Sequence, residues 1–324
     1  MEKLEALLRI LADGRFHSGE EIAKMLECSR SAVWKRIERL REVPGVRVDA
    51  VTGRGYRLDQ PFELLDRQQI LASLPAQITE SLRDCHVLGS VASTNALAMQ
   101  ASLNVGSGAA WFAEHQSAGR GRRGRSWLSP YGRNIYFSLA WQFNASLSEV
   151  AGLSIATGAV LAEVLEQQGL RGHGLKWPND LLWDQRKLAG ILLEVQGETE
   201  GPATVVIGIG INLDIDQDLK REIDQPVVSL RDAGVPLQRN RLASQILEAT
   251  VDMCQRFPDD GLRPFVESWR GYDVFVGREV KLIGPAREEA GISLGLSEDG
   301  GLRLQTGDDE KTFYAGELSL RAGD

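Results

Sequence analysis

The hydrophobic pattern changes twice along this 324-residue chain, and each change limits what the segment can fold into. The first sixty residues carry apolar side chains at helical spacing. The middle alternates strand-like apolar runs with longer helical stretches such as Leu147–Gly169, which is typical of a domain built around a mixed sheet. From Tyr272 onward the segments become short and alternating, with turn residues between them, as in a small SH3-like β-barrel. The strands predicted there are Val274–Ile283, Gly291–Leu296, Leu302–Gln305 and Thr312–Leu320. We therefore expect an α+β multidomain protein with units at 1–60, 61–271 and 272–324.

The first unit has the pattern of a winged helix-turn-helix. Ser18 is followed three residues later by Glu21, the spacing of a capping box that starts a second helix, and Ser29 can cap a third. After Pro44-Gly45 the chain alternates around the turn Thr52–Gly55, which indicates a β-hairpin. Polar residues of the third helix face away from its apolar stripe and, with the tip of the hairpin, are the DNA contacts that we expect: Ser31, Lys35, Arg39 and Arg54.

The charge distribution indicates that only this head meets nucleic acid. Residues 1–60 hold 12 Lys and Arg against 10 Asp and Glu, whereas the other 264 residues hold 25 against 35. The three cysteines are scattered and no CxxC or HExxH pattern occurs, so we expect neither disulfides nor a metal site of the protein's own. The longest apolar run is too short for a bilayer and the N-terminus lacks an apolar signal core. We expect a cytoplasmic protein with no membrane role.

The segment Gly119–Trp127 alternates four arginines with three glycines. Arginine offers planar charged donors for phosphate and carboxylate, and glycine lets backbone N–H groups approach an anion. Its like charges repel and it has no core of its own, so we expect a loop that becomes ordered when an anionic ligand arrives. Such runs are more often disordered linkers or nonspecific nucleic-acid tails. Its single occurrence between two predicted strands, Trp111–Ala113 and Ile135–Trp141, favours a binding site.

Two further motifs carry chemistry. In Lys176–Asp180 the proline predicts a rigid turn that holds Asn and Asp at the edge of a cleft, and Lys187 opens the next strand. Alone, each of these fits an exposed surface turn equally well. Ser93-Thr94-Asn95 offers polar groups for a pocket, together with Glu114-His115-Gln116. The alternative is a helix cap before Ala96, which we favour for the asparagine.

In this order and spacing, the motifs resemble the biotin protein ligases, and the head resembles their bifunctional members, which also repress biotin synthesis genes. The resemblance covers essentially the whole chain, including the tail Gly316–Arg321. It implies formation of biotinyl-5′-adenylate from biotin and ATP, with Mg²⁺ carried on the ATP phosphates. Biotin then passes to a lysine of a biotin carboxyl carrier protein, such as that of acetyl-CoA carboxylase. It also implies operator DNA and a second copy of the chain as partners.

Matching the motifs residue by residue implies a role for each polar group. Arg120 and Arg122 would hold the carboxylate and phosphates, Lys187 would stabilise charge at the α-phosphate, and Asp180 would orient the biotin ring or receive a proton. The residues implied at biotin are Ser93, Thr94, Asn95, Gln116, Gly119, Arg120, Gly121, Arg122, Lys187 and Gly190. Those implied at ATP are Arg122, Trp127, Lys176, Asn179, Asn212 and Arg321.

One segment departs from the family pattern. Where the family places a tryptophan against adenine, ahead of Ser229–Gly234, this chain has Pro226-Val227-Val228, so valine packing is the expected substitute. Three alternatives stay open: a ligase whose head does not regulate, a pure regulator, and a lipoate-type ligase. Dimerisation is expected through strand edges of the central units, a surface that can also meet the carrier protein.

Overall fold

The computed structural model describes residues 2–105, 107–146, 150, 152–197, 201–284, 288–315 and 318–323. Its first unit is the expected winged helix-turn-helix. The elements are α1 (Glu2–Leu11), α2 (Gly19–Met25), α3 (Arg30–Arg41), β1 (Val48–Val51) and β2 (Gly55–Leu58). Ser18 accepts from the Glu21 backbone N–H at 3.0 Å and completes the capping box. Ser29 accepts from the Ala32 N–H at 3.2 Å, so both predicted caps are confirmed.

The central unit is a seven-stranded mixed sheet with helices on both faces. Its elements are α4 (Arg67–Ala72), α5 (Ala76–Ser81), β3 (Asp84–Val91), α6 (Thr94–Val105), β4 (Ala109–Gln116), β5 (Ile135–Phe143), α7 (Leu153–Gln167), β6 (His173–Lys176), β7 (Asp180–Trp183), β8 (Arg186–Gly197), β9 (Ala203–Ile211), α8 (Gln217–Arg221), α9 (Arg239–Asp260) and α10 (Arg263–Tyr272). The strand order is β3-β4-β5-β9-β8-β7-β6, with β3 parallel to β4 and the other pairs antiparallel. The helix predicted from Leu147 begins at Leu153, and residues 147–149 lie outside the described residues.

The two faces of this sheet have different partners because side chains alternate along each strand. Phe112 belongs to the main core with α7 and α9, whereas Trp111 packs on the opposite face with Ala98 of α6. On the α6 face, Gly208 and Gly210 of β9 leave space above the sheet. That space is where the candidate site lies.

The third unit is an antiparallel sheet of five described strands. They are β10 (Glu279–Ile283), β11 (Glu288–Leu296), β12 (Leu302–Thr306), β13 (Asp309–Phe313) and β14 (Ser319–Ala322), in the order β13-β12-β11-β10-β14. The strand predicted over Thr312–Leu320 is wrong: the chain pairs with β12 and then crosses to pair with β10. The strand predicted from Val274 starts later, because Gly277 has a φ of +75° and turns the chain. Residues 316 and 317 of the tail motif lie outside the described residues.

The head and the central unit share a buried junction. Tyr131, which follows the arginine loop, is 1% exposed and packs in the hydrophobic core of the head. Its backbone N–H donates to the Pro44 carbonyl at 2.9 Å. Arg133 pairs with Asp214 at 3.0 Å and also donates to the Gly45 carbonyl at 3.4 Å. The unit limits at residues 60 and 271 stay predictions. No helix among the described residues is long and apolar enough to span a bilayer.

Candidate ligand-binding and catalytic site

A cavity opens where the N-terminus of α6 meets strands β5, β8 and β9. Glycine is required on its floor. A Cβ on Gly208 would lie 2.1 Å from Asn95 Oδ1, and one on Gly210 would lie 2.6 Å from the Trp127 ring. The predicted residues that line this cavity are Ser93, Thr94, Asn95, Gln116, Arg120, Gly121, Arg122, Trp127, Asn179, Lys187 and Gly190.

The polar end of the cavity is held by a chain of hydrogen bonds. The Thr94 hydroxyl and backbone N–H both donate to Gln116 Oε1, at 3.1 and 2.9 Å. The Gln116 amide donates to the Ser129 hydroxyl at 3.2 Å, and the Ser138 hydroxyl donates to Thr94 Oγ1 at 2.8 Å. These side chains are therefore pre-positioned to pair with a polar ring that enters an apolar pocket.

The helix-capping interpretation of Asn95 is wrong. Ser93 takes that role, since its hydroxyl accepts from the Ala96 backbone N–H at 3.4 Å. The Asn95 amide instead donates to Glu194 at 2.9 Å and to the Leu192 carbonyl at 3.2 Å. The reason lies in the tertiary structure, because Gly208 of β9 has no side chain and leaves room for the Asn95 amide above the sheet.

The arginine loop, expected to have no core of its own, is packed against the sheet of the central unit. Its two sides are joined by hydrogen bonds from the Gly121 N–H to the Arg125 carbonyl (2.7 Å) and from the Trp127 N–H to the Gly119 carbonyl (2.9 Å). The Trp127 ring lies against Gly210 of the sheet, and the Lys187 ammonium lies 5.3 Å from its centroid. The indole therefore anchors the loop despite its charge.

The four arginines of the loop have different surroundings. Arg120 pairs with Glu194 at 3.4 Å, and Arg122 donates to Asn179 Oδ1 at 3.1 Å. Arg123 and Arg125 are exposed, and Arg123 has a φ of +60°. Arg120 and Arg122 are thus the two that reach into the first cavity.

A compact charge cluster stands beside the loop. Asp180 pairs with Lys187 at 2.7 Å and with Lys176 at 3.7 Å, and all three side chains are at most 16% exposed. Burial raises the pKa of Asp180, but the Lys187 and Lys176 charges, the hydrogen bond from Lys187 and the Arg122 charge together hold its pKa below the usual value. Burial lowers the pKa of Lys176 to about 8, with the nearby Arg321 and Lys187 charges adding to this effect.

A second cavity continues from the first on the far side of Arg122. It is lined by the loop, by Lys176–Asp180 and by the tail strand β14, including Arg321. The structure therefore brings together two motifs of the central unit and the tail strand of the third unit. Cationic and apolar walls in one continuous cleft suit a molecule with both an anionic and an apolar part.

Other residues implied by the resemblance lie behind the cleft surface. Asn212 is 3% exposed and its amide donates to the Lys187 carbonyl at 3.3 Å. Val228 is fully buried, and its N–H donates to the same carbonyl at 3.0 Å, so it is not a ligand-facing substitute for the family's tryptophan. Val227 forms a parallel bridge with Lys187. Gly119 lies behind Gln116, where a Cβ would stand 2.5 Å from the Trp127 carbonyl.

Sequence reasoning missed several residues of the site, chiefly Glu194, Ser138, Gly208 and Gly210. The glycines carried a usable signal, because two small residues at i and i+2 in an apolar strand mark one open face. In the motif Glu114-His115-Gln116, Glu114 faces away from the cavity and pairs with Arg239 at 2.7 Å.

The predicted DNA contacts lie on the surface of the head. Ser31, Lys35 and Arg39 are exposed on α3. The Arg54 guanidinium, at the hairpin tip, lies 4.2 Å from the centre of the Phe16 ring.

Comparison with known proteins agrees with this three-part arrangement. Family models match as HTH domain over residues 3–57, Biotin/lipoate A/B protein ligase family over 88–212 and Biotin protein ligase C terminal domain over 275–321. The biotin protein ligase of Aquifex aeolicus, solved in complex with biotin and ATP, superimposes with a TM-score of 0.63 at 29% identity, covering 75% of this chain and all of that one.

Several relatives match this chain almost end to end. The bifunctional ligase/repressor BirA of Escherichia coli strain K12 is 40% identical over 318 residues, which is 98% of this chain and 97% of the relative. The bifunctional ligase/repressor BirA of Bacillus subtilis strain 168 is 30% identical over 312 residues, 95% of each chain. Head, cleft and tail are all included in these matches. The chain belongs to the family of bifunctional biotin ligase/repressor proteins.

Proposed function

We propose that this protein forms biotinyl-5′-adenylate from biotin and ATP, transfers biotin to a carrier-protein lysine, and represses transcription through its head. The observation that carries the ligase assignment is the meeting of Lys187, Arg122 and Asp180 at the junction of two cavities. The polar, hydrogen-bonded end of the first cavity suits the ureido ring, and the cationic second cavity suits the nucleotide phosphates.

The first step must join two anions, so its catalysts are cations and oriented donors. An oxygen of the biotin carboxylate attacks the α-phosphorus, a new O–P bond forms, and the bond to pyrophosphate breaks. Arg120 and Arg122 hold the carboxylate and phosphates, and Lys187 stabilises the charge that develops on the α-phosphate. Asp180, ionised and paired with Lys187 at 2.7 Å, acts by fixing the ammonium in place.

Mg²⁺ accompanies the nucleotide in this proposal. Among the described residues, no cluster of three or more His, Cys, Asp or Glu could hold a metal ion. The acid nearest the phosphates, Asp180, is already paired with two lysines. This donor set fits an ion that is bound by the ATP phosphates and neutralises part of their charge.

In the second step the carrier lysine attacks the acyl carbon, the acyl–phosphate bond breaks and AMP leaves. A loop closed over the adenylate protects it from water until the carrier docks. The second half of β8 offers a docking edge, because β7 pairs with β8 only as far as Gly190. We propose that the carrier protein and a second copy of the chain compete for this edge.

The ligase proposal is tested with purified protein, ATP, Mg²⁺, biotin and a biotin carboxyl carrier domain. We expect pyrophosphate release and a carrier that gains the mass of biotin, with lipoate failing to compete at equal concentration. Lys187→Met should lose both, whereas the same change at the exposed Lys3 should lose neither. Lipoate transfer at the rate of biotin, or no transfer to the carrier, would contradict the assignment.

The repressor proposal rests on the helix-turn-helix match and on the cations of α3. A gel shift on DNA upstream of the source genome's biotin synthesis genes tests it. We expect a shift with biotin and ATP present, weakened when Lys35 and Arg39 are both changed to Ala. No shift under either condition would leave the protein as a ligase alone.

A further inference from the structure

Trp34 is an exposed aromatic residue in the middle of the helix that is proposed to meet DNA. Its side chain is 54% exposed on α3, between the exposed polar residues Ser31 and Lys35. Val33 and Ile37 fill the apolar stripe of this helix and are fully buried. In the described part of the head, the residues that form the core or pack against it do not include Trp34. Folding of the head therefore does not account for this indole.

The indole lies in a defined groove between α3 and the hairpin. Trp34 shares this groove with Arg30 on the helix and with Val51 and Tyr56 on the hairpin. Its two walls are joined, because the Arg41 guanidinium donates to the Val48 carbonyl at 3.2 Å. The groove is thus part of the fixed shape of the head.

The surroundings of the groove indicate its occupant. Arg30 and Glu20 are the charged residues that line the groove. Lys35 and Arg39 are exposed further around α3, and the acidic Glu38 of this helix is already paired with Arg41 at 2.8 Å. This charge is complementary to the phosphates of duplex DNA. An indole cannot neutralise a phosphate, so its contribution to such a complex is apolar. In the major groove, the apolar group that base pairs present is the 5-methyl of thymine.

We propose that Trp34 is a specificity-determining residue that reads a thymine 5-methyl group at the wall of the major groove. The position on the helix supports this, since Trp34 stands about 90° around the axis from the centre of the buried stripe, on the side of the hairpin. With α3 in the major groove of DNA, a residue at this position reaches the edge of the major groove. Lys35 then points to the floor of the major groove or to the DNA backbone. The proposal rests on the proposed repressor function and adds a base contact to it.

The test begins with duplexes selected from a random pool by the full-length protein in the presence of biotin and ATP. Each thymine of the selected site is then replaced singly by deoxyuridine, which deletes only the methyl group. We expect an affinity loss of about fourfold at one position per half-site, the equivalent of one buried methyl. Trp34→Ala should bind the thymine and deoxyuridine sites equally, and Trp34→Phe should keep part of the difference.

Two controls separate this from general damage. Met25 is 57% exposed on α2 and lies outside the groove. The Met25→Ala variant should therefore show the same deoxyuridine profile as the wild type. All variants should make biotinyl adenylate at the wild-type rate, which reports an intact central unit. A flat profile in the wild type, or the same profile in Trp34→Ala, would overturn the inference. An equal loss by Trp34→Ala on all duplexes would also overturn it, and a selection that yields no preferred sequence would instead remove the repressor function.

Discussion

Lys176 makes ligand binding depend on pH in a way that can be measured directly. Burial first, and then the Arg321 and Lys187 charges, lower the pKa of this lysine from 10.5 to about 8, while Asp180 at 3.7 Å opposes them. Half of the Lys176 side chains are therefore neutral at pH 8. A phosphate anion bound in the second cavity adds the negative charge that restores the ammonium, so nucleotide binding should take up a proton.

The size of this uptake follows from the two protonation states. If the bound nucleotide returns the pKa to its ordinary 10.5, binding takes up about 0.5 proton at pH 8 and less than about 0.05 at pH 6.5. Because only the protonated form binds tightly, affinity at pH 9 should be about tenfold lower than at pH 7. The charge on Asp180 stays constant over this range, because the pKa of this carboxyl is held below its usual value.

The assay is isothermal titration calorimetry in two buffers of different ionisation enthalpy. The ligand is a non-reactive phosphodiester analogue of biotinyl adenylate, in which a methylene replaces the acyl carbonyl. Lys176→Met should bind more weakly with no proton uptake, and Lys176→Arg should keep the charge and also show no uptake. Equal heats in both buffers at pH 8 for the wild type, or undiminished uptake in Lys176→Arg, would refute the reasoning.

The same lysine should affect stability with a defined sign. The unfolded chain keeps its proton up to the ordinary pKa of 10.5, whereas the folded chain loses it near 8. The free energy of unfolding contributed by Lys176 therefore rises between these pH values, by about 3 kcal/mol in total. Lys176→Met should flatten this rise in urea unfolding measured from pH 7 to pH 10.

Three further predictions concern the loop, the sheet and the domain junction. Arg122→Gly should leave biotin affinity largely intact but raise the rate of adenylate release at least about tenfold, as measured with radiolabelled adenylate. Arg123→Gly, at an exposed arginine, should not raise that rate. Gly210→Ala should push the indole off the sheet and cost about 1–3 kcal/mol in thermal unfolding. At Gly271, where a Cβ meets nothing within 4 Å, alanine should be neutral or stabilising. Arg133→Met should reduce the factor by which bound adenylate raises the affinity for DNA. An unchanged factor would show that the junction does not couple the cleft to the head.

Local rules explain why some expectations from sequence are confirmed. The caps at Ser18 and Ser29 depend on residues three positions away, and a capping hydrogen bond needs no tertiary partner. The position of Lys187 at the start of a strand and the apolar periodicity of α3 likewise depend only on neighbouring residues. These features predicted the head and the cation-bearing motifs without knowledge of the fold.

Other expectations failed where the partner is distant in the chain. Asn95 was expected to cap a helix, yet its amide sits over Gly208, more than a hundred residues later. For the arginine loop, the sequence did not reveal that Trp127 rests on Gly210 of a distant strand. The strand expected over 312–320 splits because its second half pairs with β10. Each of these outcomes depends on strand register, which local propensity does not contain.

The sequence by itself determined the three units, most of their helices and strands, and the identity of the charged groups that serve the site. The tertiary structure decided how those charges meet. It placed Asp180 between Lys187 and Lys176, and it brought Arg321 of the tail to the same cavity. The physical reason is that burial and charge proximity set the pKa values and the anchoring of the loop, and both arise only when distant segments pack together.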